Sequence, residues 1–252
     1  IAYIGSFHGR TLGAVSLTAS KPYQRRKFAP LIPGVHHVPY PYCYRCPFNL
    51  EEKSCDMACV DYIDDYLFHK YVAPEEVSML MVEPIQGEGG YVVPPKAYFP
   101  KLKKLLDEHG ILFAVDEVQS GVGRTGKWFA VEHWDVKPDI VVGAKGIAAG
   151  MPLGYMTSKA EIQNWTPGSH ASTFGGNPVS CAAAMAVLDI IKTEDLLKNA
   201  EVEGGYIKKR LEEMMETHPM IGDVRGKGLM VGVEIIKDKH SKEVAPNETE
   251  EI

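Results

Sequence analysis

Two side chains that could do covalent chemistry follow two apolar runs in the middle of the chain. The acid pair Asp116 and Glu117 comes directly after Ile111–Val115, and Lys145 comes two residues after Asp139–Gly143. In an open parallel α/β sheet, ligands bind where neighbouring strands end. A lysine can form a Schiff base with pyridoxal phosphate (PLP), and an aspartate can keep the ring nitrogen protonated. The spacing therefore predicts a PLP site.

The elements that must position these residues alternate along the chain. Strand patterns at Val77–Val82 and Ile111–Val115 flank a helical pattern at Lys96–His109. Strands that alternate with helices favour a parallel sheet covered by helices. The predicted fold class is therefore α/β, with a mainly parallel central sheet and helices on both faces.

A second composition begins after this alternation. Long helical patterns over Asn177–Lys192 and Asp195–Thr217 lead into alternating strands over Asp223–Ile236. We expect residues 1–192 to form a large cofactor-binding domain without its N-terminal part. We expect residues 193–252 to begin a smaller α+β domain.

Composition narrows the class of protein. The chain has 252 residues, 45% hydrophobic content and a net charge of −6, which argues against a generic nucleic-acid binder. No apolar run approaches the roughly 18 residues that span a bilayer, and the first residues do not form a secretion signal. We expect a cytoplasmic protein. The start inside a strand pattern and the polar end predict an internal piece of a longer protein.

Four cysteines lie close together in sequence, at Cys43, Cys46, Cys55 and Cys59. Their spacing leaves three interpretations open: a zinc or iron–sulfur site, two disulfides, or four free thiols. The fifth, Cys181, lies in an alanine-rich helical pattern and is expected in the core.

One glycine-rich segment resembles a nucleotide-binding loop but departs from it. Residues 121–127 read GVGRTGK, and Trp128 stands where the hydroxyl that binds magnesium should be. The glycines also do not follow the strand directly. We therefore exclude nucleotide hydrolysis.

Two further loops carry residues suited to a ligand. Phe7, His8 and Arg10 could stack on a flat ligand and bind an anion, or Phe7 could belong to the core and Arg10 to the surface. The loop from Glu83 to Gly90 carries two acids and three glycines after a strand, and it could form another wall of the site or a solvated turn.

Taken together, these motifs resemble the class III (ω-amino acid) aminotransferases, a branch of the fold-type I PLP enzymes. The matches occur in family order over nearly the whole chain: FHGRT at 7–11, EPIQGEGG at 83–90, DEVQSGVGRTG at 116–126, AKGIAAGMPLG at 144–154, STFGGNP at 172–178 and VRGKGLM at 224–230.

The resemblance implies roles for individual residues. Lys145 is implied as the Schiff-base lysine and Asp116 as the partner of the ring nitrogen. The other implied cofactor ligands are Gln119 at the phenolic oxygen, Phe7 on the ring face with His8 beside it, and Thr173 at the phosphate of a neighbouring subunit.

The resemblance also implies a homodimer with sites at the subunit interface. Arg10 is implied to bind the substrate carboxylate, and Glu88 to pair with a gating arginine. That arginine and the family's phosphate-binding loop would lie outside residues 1–252. No metal is implied at the active site.

Three functions remain open. The first is transfer of an amino group from an ω-amino acid, such as 4-aminobutyrate or ornithine, to a 2-oxo acid such as 2-oxoglutarate. The second is amino-acid racemisation on the same scaffold, because Lys145 and Asp116 would serve both reactions. The third is a truncated, non-catalytic relative.

Overall fold

The computed structural model describes residues 1–251. Its strands are β1 (Ala2–Tyr3), β2 (His37–Val38), β3 (Met79–Val82), β4 (Leu112–Asp116), β5 (Ile140–Gly143), β6 (Tyr155–Ser158), β7 (Ile221–Lys227), β8 (Met230–Asp238) and β9 (Glu243–Val244). Its α-helices are α1 (Leu12–Leu17), α2 (Pro22–Arg25), α3 (Ala58–Asp61), α4 (Tyr98–Glu108), α5 (Pro178–Thr193), α6 (Leu196–Thr217) and α7 (Pro246–Glu250).

The central sheet has the strand order β3-β4-β5-β6. The first three strands are parallel, as the alternating pattern predicts, and β6 adds an antiparallel edge. Strand β1 lies beside β3, since the Ile1 amino group donates to Met79 and the Met81 N–H donates to Ile1. The FHGRT segment, which follows β1, therefore begins near the carboxyl end of β3.

One apolar cluster holds helix α4 against this sheet. Phe99 and Leu102 of α4 and Phe113 of β4 are fully buried. The hydroxyl groups of Tyr3 and Tyr98 hydrogen-bond at 2.6 Å inside the same cluster. Burial of large apolar side chains supplies most of the stabilisation here, at roughly 1.5–3 kcal/mol per side chain.

The chain also contains local structure that the pattern does not indicate. The helix after α3 winds with π geometry over Tyr62–Phe68. The segment from Lys21 to Asn49, which shows no clear periodicity in sequence, contains α2, β2 and a short 3₁₀ turn at Cys43–Arg45.

The C-terminal part forms an antiparallel sheet, β7-β8-β9, that packs on α6. Its β7–β8 turn contacts the larger sheet's loops, because the Leu229 N–H donates to the Arg124 carbonyl at 3.0 Å. The domain division at residues 192 and 193 stays a prediction.

All five cysteines are free thiols. Cys43, Cys46, Cys55 and Cys59 line one small apolar cavity of about 20 Å³. Within residues 1–251, no three His, Cys, Asp or Glu side chains are grouped to hold a metal ion. Cys181 is exposed on α5, so its expected core position is wrong. Apolar side chains on other faces of α5 are exposed too, among them Val179, Met185 and Ile190.

None of the helices formed by residues 1–251 is long and apolar enough to cross a membrane.

Candidate active site

Three polar groups meet at the carboxyl edge of the parallel strands. Register pairs Val82 with Val115, so Glu83 and Asp116 leave the sheet side by side. Asp116 in turn pairs with Val142 of β5, three residues before Lys145. The edge predicted from the two apolar runs therefore carries two carboxylates and one amine.

Lys145 begins a 3₁₀ turn directly after β5. Its backbone has a φ of +47°, an unfavourable region for a residue with a side chain, and such strain often accompanies functional positions. Its Nζ donates to Gln119 Oε1 at 3.2 Å. The side chain is exposed, so residues 1–251 do not desolvate its amine.

Gln119 links Lys145 to a tyrosine that the sequence does not mark as a site residue. The Gln119 Nε2 group donates to the Tyr91 hydroxyl at 3.2 Å. Gly87 makes room for this side chain, since a Cβ there would lie 2.4 Å from Gln119 Oε1. A side chain at position 87 would therefore push the Gln119 amide away from its present position between Lys145 and Tyr91.

Asp116 is buried and bound from two sides. Its Oδ1 accepts from the Val118 N–H at 3.0 Å, and its Oδ2 lies 2.8 Å from His8 Nδ1. A carboxylate only accepts hydrogen bonds, so His8 Nδ1 carries the proton. The other ring nitrogen, His8 Nε2, is buried and has no partner among residues 1–251. His8 Nε2 is therefore available to hydrogen-bond a bound group.

Phe7 and Arg10 lie on the same loop as His8. The Arg10 guanidinium lies over the Phe7 ring, with its carbon 5.7 Å from the ring centroid. Phe7 is half-buried and Arg10 is exposed. Arg10 is thus free to meet an anion, and the aromatic face lies beside it.

Glu88 has a cationic partner within this chain. The Lys21 Nζ donates to Glu88 Oε2 at 3.2 Å, and both side chains are nearly half-exposed. An ion pair this exposed contributes little stability, on the order of 0–1 kcal/mol, and is easily exchanged. Glu88 can therefore change partners, as the predicted pairing with an arginine requires.

Thr173 lies in an exposed loop between β6 and α5. Among residues 1–251, its side chain forms no hydrogen bond to Lys145 or Asp116. Its predicted role at a neighbouring subunit's cofactor stays a prediction.

Two buried acids at the same edge have strongly perturbed pKa values. Burial raises the pKa of Glu83 to about 7, and burial raises the pKa of Glu117 to about 7 as well. From sequence, Glu83 is predicted only to belong to a loop that could line the site. The rule that singled out Asp116, an acid directly after a buried strand, applies equally to Glu83.

A cavity of about 270 Å³ opens beside the amine. Tyr91, Gln119 and Lys145 line it, together with Val122 and Met230. Its lining combines a primary amine, an amide and a phenol, and the Asp116–His8 pair belongs to the same strand edge but not to that lining. This donor set fits PLP, which needs an amine for its aldehyde, a carboxylate for its ring nitrogen and a polar contact for its phenolic oxygen.

Known proteins of one family match this chain. A family model described as Aminotransferase class-III matches residues 1–251. A leucine/methionine racemase from Thermococcus litoralis is 50% identical over all of this chain and 57% of its own length. The 4-aminobutyrate aminotransferase GabT of Escherichia coli is 41% identical over 96% of this chain and 55% of its own.

A solved structure is also similar. An (S)-enantioselective omega-transaminase from Thermomicrobium roseum superposes with a TM-score of 0.90 and 37% identity. The match covers 99% of this chain and 56% of that one. The chain thus spans a little more than half the length of the relatives it matches.

Proposed function

The chain belongs to the class III aminotransferase family, and on that premise we propose that the protein is a PLP-dependent aminotransferase. It would move an amino group from an ω-amino acid, such as 4-aminobutyrate or ornithine, to a 2-oxo acid such as 2-oxoglutarate. One observation carries this proposal. Lys145 places its amine 3.2 Å from Gln119 at the strand edge that also carries the buried Asp116.

Each residue has a stated task in this proposal. When bound, PLP supplies an aldehyde that takes up the amino group and a ring that accepts the electrons of a broken C–H bond. Lys145 would hold the cofactor covalently through Nζ, and Asp116 would hold its protonated ring nitrogen. Gln119 would contact the phenolic oxygen, and Phe7 would cover one face of the ring.

Lys145 has a second task once its amine is released. An amine can take a proton from the substrate carbon and return it elsewhere as general base and acid. The hydrogen bond from Nζ to Gln119 Oε1 fixes where the amine begins this movement. His8 holds Asp116 through Nδ1, so the carboxylate keeps a fixed direction.

The two substrates differ in charge, and two residues suit that difference. Arg10 would bind a substrate carboxylate. Glu88 would attract the amino end of an ω-amino acid, and it would be neutralised by a cation when a 2-oxo diacid binds. The exposed Lys21–Glu88 pair shows that a cation can reach Glu88. In this proposal the protein is a homodimer, and Thr173 of each subunit would contact the cofactor phosphate of the neighbouring subunit.

Racemisation is the second candidate, and a specific observation favours it. The relative from Thermococcus litoralis, at 50% identity, is named as a racemase, whereas the Escherichia coli aminotransferase is 41% identical. Lys145 and Asp116 would serve this reaction equally. The difference would be a second base that returns a proton to the opposite face of the substrate carbon.

A substrate test separates the two candidates. The whole protein with PLP is given 4-aminobutyrate, L-ornithine or L-leucine, each with and without 2-oxoglutarate. We expect glutamate to form only when the 2-oxo acid is present. Accumulation of a D-amino acid without any 2-oxo acid would replace transamination by racemisation. If neither glutamate nor a D-amino acid forms, the result would favour a non-catalytic protein.

A second test concerns Lys145 itself. In the Lys145→Ala variant, borohydride reduction should leave no PLP covalently attached, as measured by protein mass. Lys137→Ala is the matched control, because Lys137 is an exposed lysine at the opposite end of β5. Retention of reducible PLP in Lys145→Ala would move the cofactor to another lysine.

A third test concerns Asp116. Asp116→Asn keeps the size of the side chain but removes the charge that would hold a protonated ring nitrogen. We expect the variant to fold and bind PLP, with kcat/KM lowered by about 100-fold or more, the effect typical of losing a preorganised electrostatic contact. Turnover at the wild-type rate would remove Asp116 from the mechanism.

A further inference from the structure

Glu83 is a buried acid to which neither the family motifs nor the mechanism above gives a task. It follows β3 directly, and its side chain is almost fully buried, with 5% of the residue exposed. The register of β3 and β4 places it next to Asp116. A buried carboxylate persists only where hydrogen bonds or charges compensate for its lost hydration.

The compensation comes from the backbone of two loops. Glu83 Oε1 accepts from the Phe7 N–H at 2.7 Å, and Oε2 accepts from the Gly87 N–H at 2.9 Å. The first loop carries Phe7 and His8, and the second leads to Glu88. Hydrogen bonds to a charged acceptor are roughly twice as strong as neutral ones. One side chain therefore joins both loops at the strand edge.

We propose that Glu83 is a positioning residue: its carboxylate holds the Phe7–His8 segment against Asp116, and cofactor affinity depends on that hold. The proposal rests on the function proposed above, because Phe7 and His8 are the residues that would meet the cofactor. Glu83 itself touches only their backbone and that of Gly87. Its effect on the cofactor is therefore indirect.

The charge state of Glu83 makes the hold sensitive to pH. Burial raises its pKa to about 7, His8 and the two N–H groups act to lower it, and Asp116 acts to raise it. Tyr40 also faces this residue, with its hydroxyl donating to the Glu83 carbonyl oxygen at 2.8 Å. Protonation removes the negative charge that both oxygens share and turns one of them into a hydroxyl, so neither N–H keeps a charged acceptor. The hold weakens as pH falls through about 7.

Glu83→Gln tests the dependence on the carboxylate. The amide keeps one acceptor oxygen but presents an NH₂ group to the second N–H. We expect the dissociation constant of PLP from the whole protein to rise about tenfold near pH 8, the effect of losing roughly one charge-assisted hydrogen bond. Near pH 6 the difference should shrink, because the wild-type side chain is then largely protonated. The variant's PLP affinity should lack this pH dependence.

Asp139→Asn is a matched control on the same sheet. Asp139 is also buried, and its Oδ2 accepts from the Phe113 N–H at 2.8 Å. It lies before β5, at the edge opposite the site. We expect this variant to lose stability while its PLP affinity and the pH dependence of that affinity stay at wild-type values. Equal loss of PLP affinity in both variants would reduce Glu83 to a merely structural role.

Amide hydrogen exchange tests the same idea without cofactor. In apo protein, the Phe7 and Gly87 amides should exchange faster in Glu83→Gln than in wild type, whereas the Phe113 amide should not. This result would stand even if the protein proved not to bind PLP. Should Glu83→Gln fail to fold, the wild-type protection factors of Phe7 and Phe113 can be compared across pH 7. Protection of Phe7 that stays constant across that range would overturn the proposal.

Discussion

The pH dependence of stability should report on Glu117, whose side chain turns away from the site. Glu117 is fully buried, its Oε1 accepts from the Val131 N–H at 2.8 Å, and its Oε2 accepts from the Ser120 hydroxyl at 2.5 Å. Burial raises its pKa from 4.5 to about 7, although these hydrogen bonds act to lower it. Desolvation of the charged form therefore outweighs its hydrogen bonds.

The sign follows from proton counting. Between about pH 4.5 and 7, folded Glu117 keeps a proton that the unfolded chain has released, so the free energy of unfolding falls as pH rises through this window. The contribution is complete below the unfolded pKa and lost above the folded one. This difference between the folded and unfolded pKa values corresponds to about 3 kcal/mol in the free energy of unfolding.

Glu117→Gln removes the titration and can keep both hydrogen bonds. The amide oxygen can accept from Val131, and the NH₂ group can donate to Ser120, whose hydroxyl can turn to accept. We therefore expect the stability difference, variant minus wild type, to rise by about 2–3 kcal/mol between pH 5 and pH 8, since part of the full effect is already present at pH 5. The measurement is urea unfolding of apo protein at both pH values and one fixed protein concentration.

A control variant isolates the buried group. Glu108→Gln changes an exposed acid at the end of α4 and should give nearly the same difference at both pH values. A pH-independent difference for Glu117→Gln would refute the reasoning, because it would mean that Glu117 titrates alike in the folded and unfolded states.

Two further predictions concern the thiols and helix α6. Burial raises the pKa of Cys43 and Cys59 to about 12, so a thiolate-seeking reagent near pH 8 should modify them far more slowly than the exposed Cys181. Mass spectrometry of timed samples checks this order, and equal rates would contradict it. Gly204→Ala should destabilise the protein by roughly 1–3 kcal/mol, because its Cβ would lie 1.9 Å from a carbonyl oxygen of the β7–β8 turn. Gly205→Ala, with open space around its Cβ, should instead stabilise by about 0.5–1 kcal/mol, and thermal unfolding of both distinguishes the two effects.

The parallel part of the fold could be read from local patterns. Buried strands read as continuous apolar runs, and the residue that follows such a run lies at a known edge of the sheet. The sequence therefore predicts that Asp116 and Lys145 lie at one edge, and β3, β4 and β5 are parallel as predicted. The order of the family motifs identified the class III aminotransferases, which the family match over residues 1–251 confirms.

The partners of the site residues were decided by tertiary structure. His8 meets Asp116 across 108 positions of sequence, and Lys21 reaches Glu88 across 67. Such contacts depend on where each loop runs after its strand, which no local period encodes. Packing also decided that Cys181 lies outside and that Lys145 is exposed.

The sequence by itself therefore determined the three parallel strands of the central sheet, the edge at which they end and the chemical groups delivered there. Local hydrophobic pattern and glycine content are enough for that, because they act over a few residues. Tertiary structure alone decided which of the three acids, Glu83, Asp116 and Glu117, holds loops, faces His8 or lies in the core. Those differences arise from burial and from hydrogen-bond partners that distant segments supply.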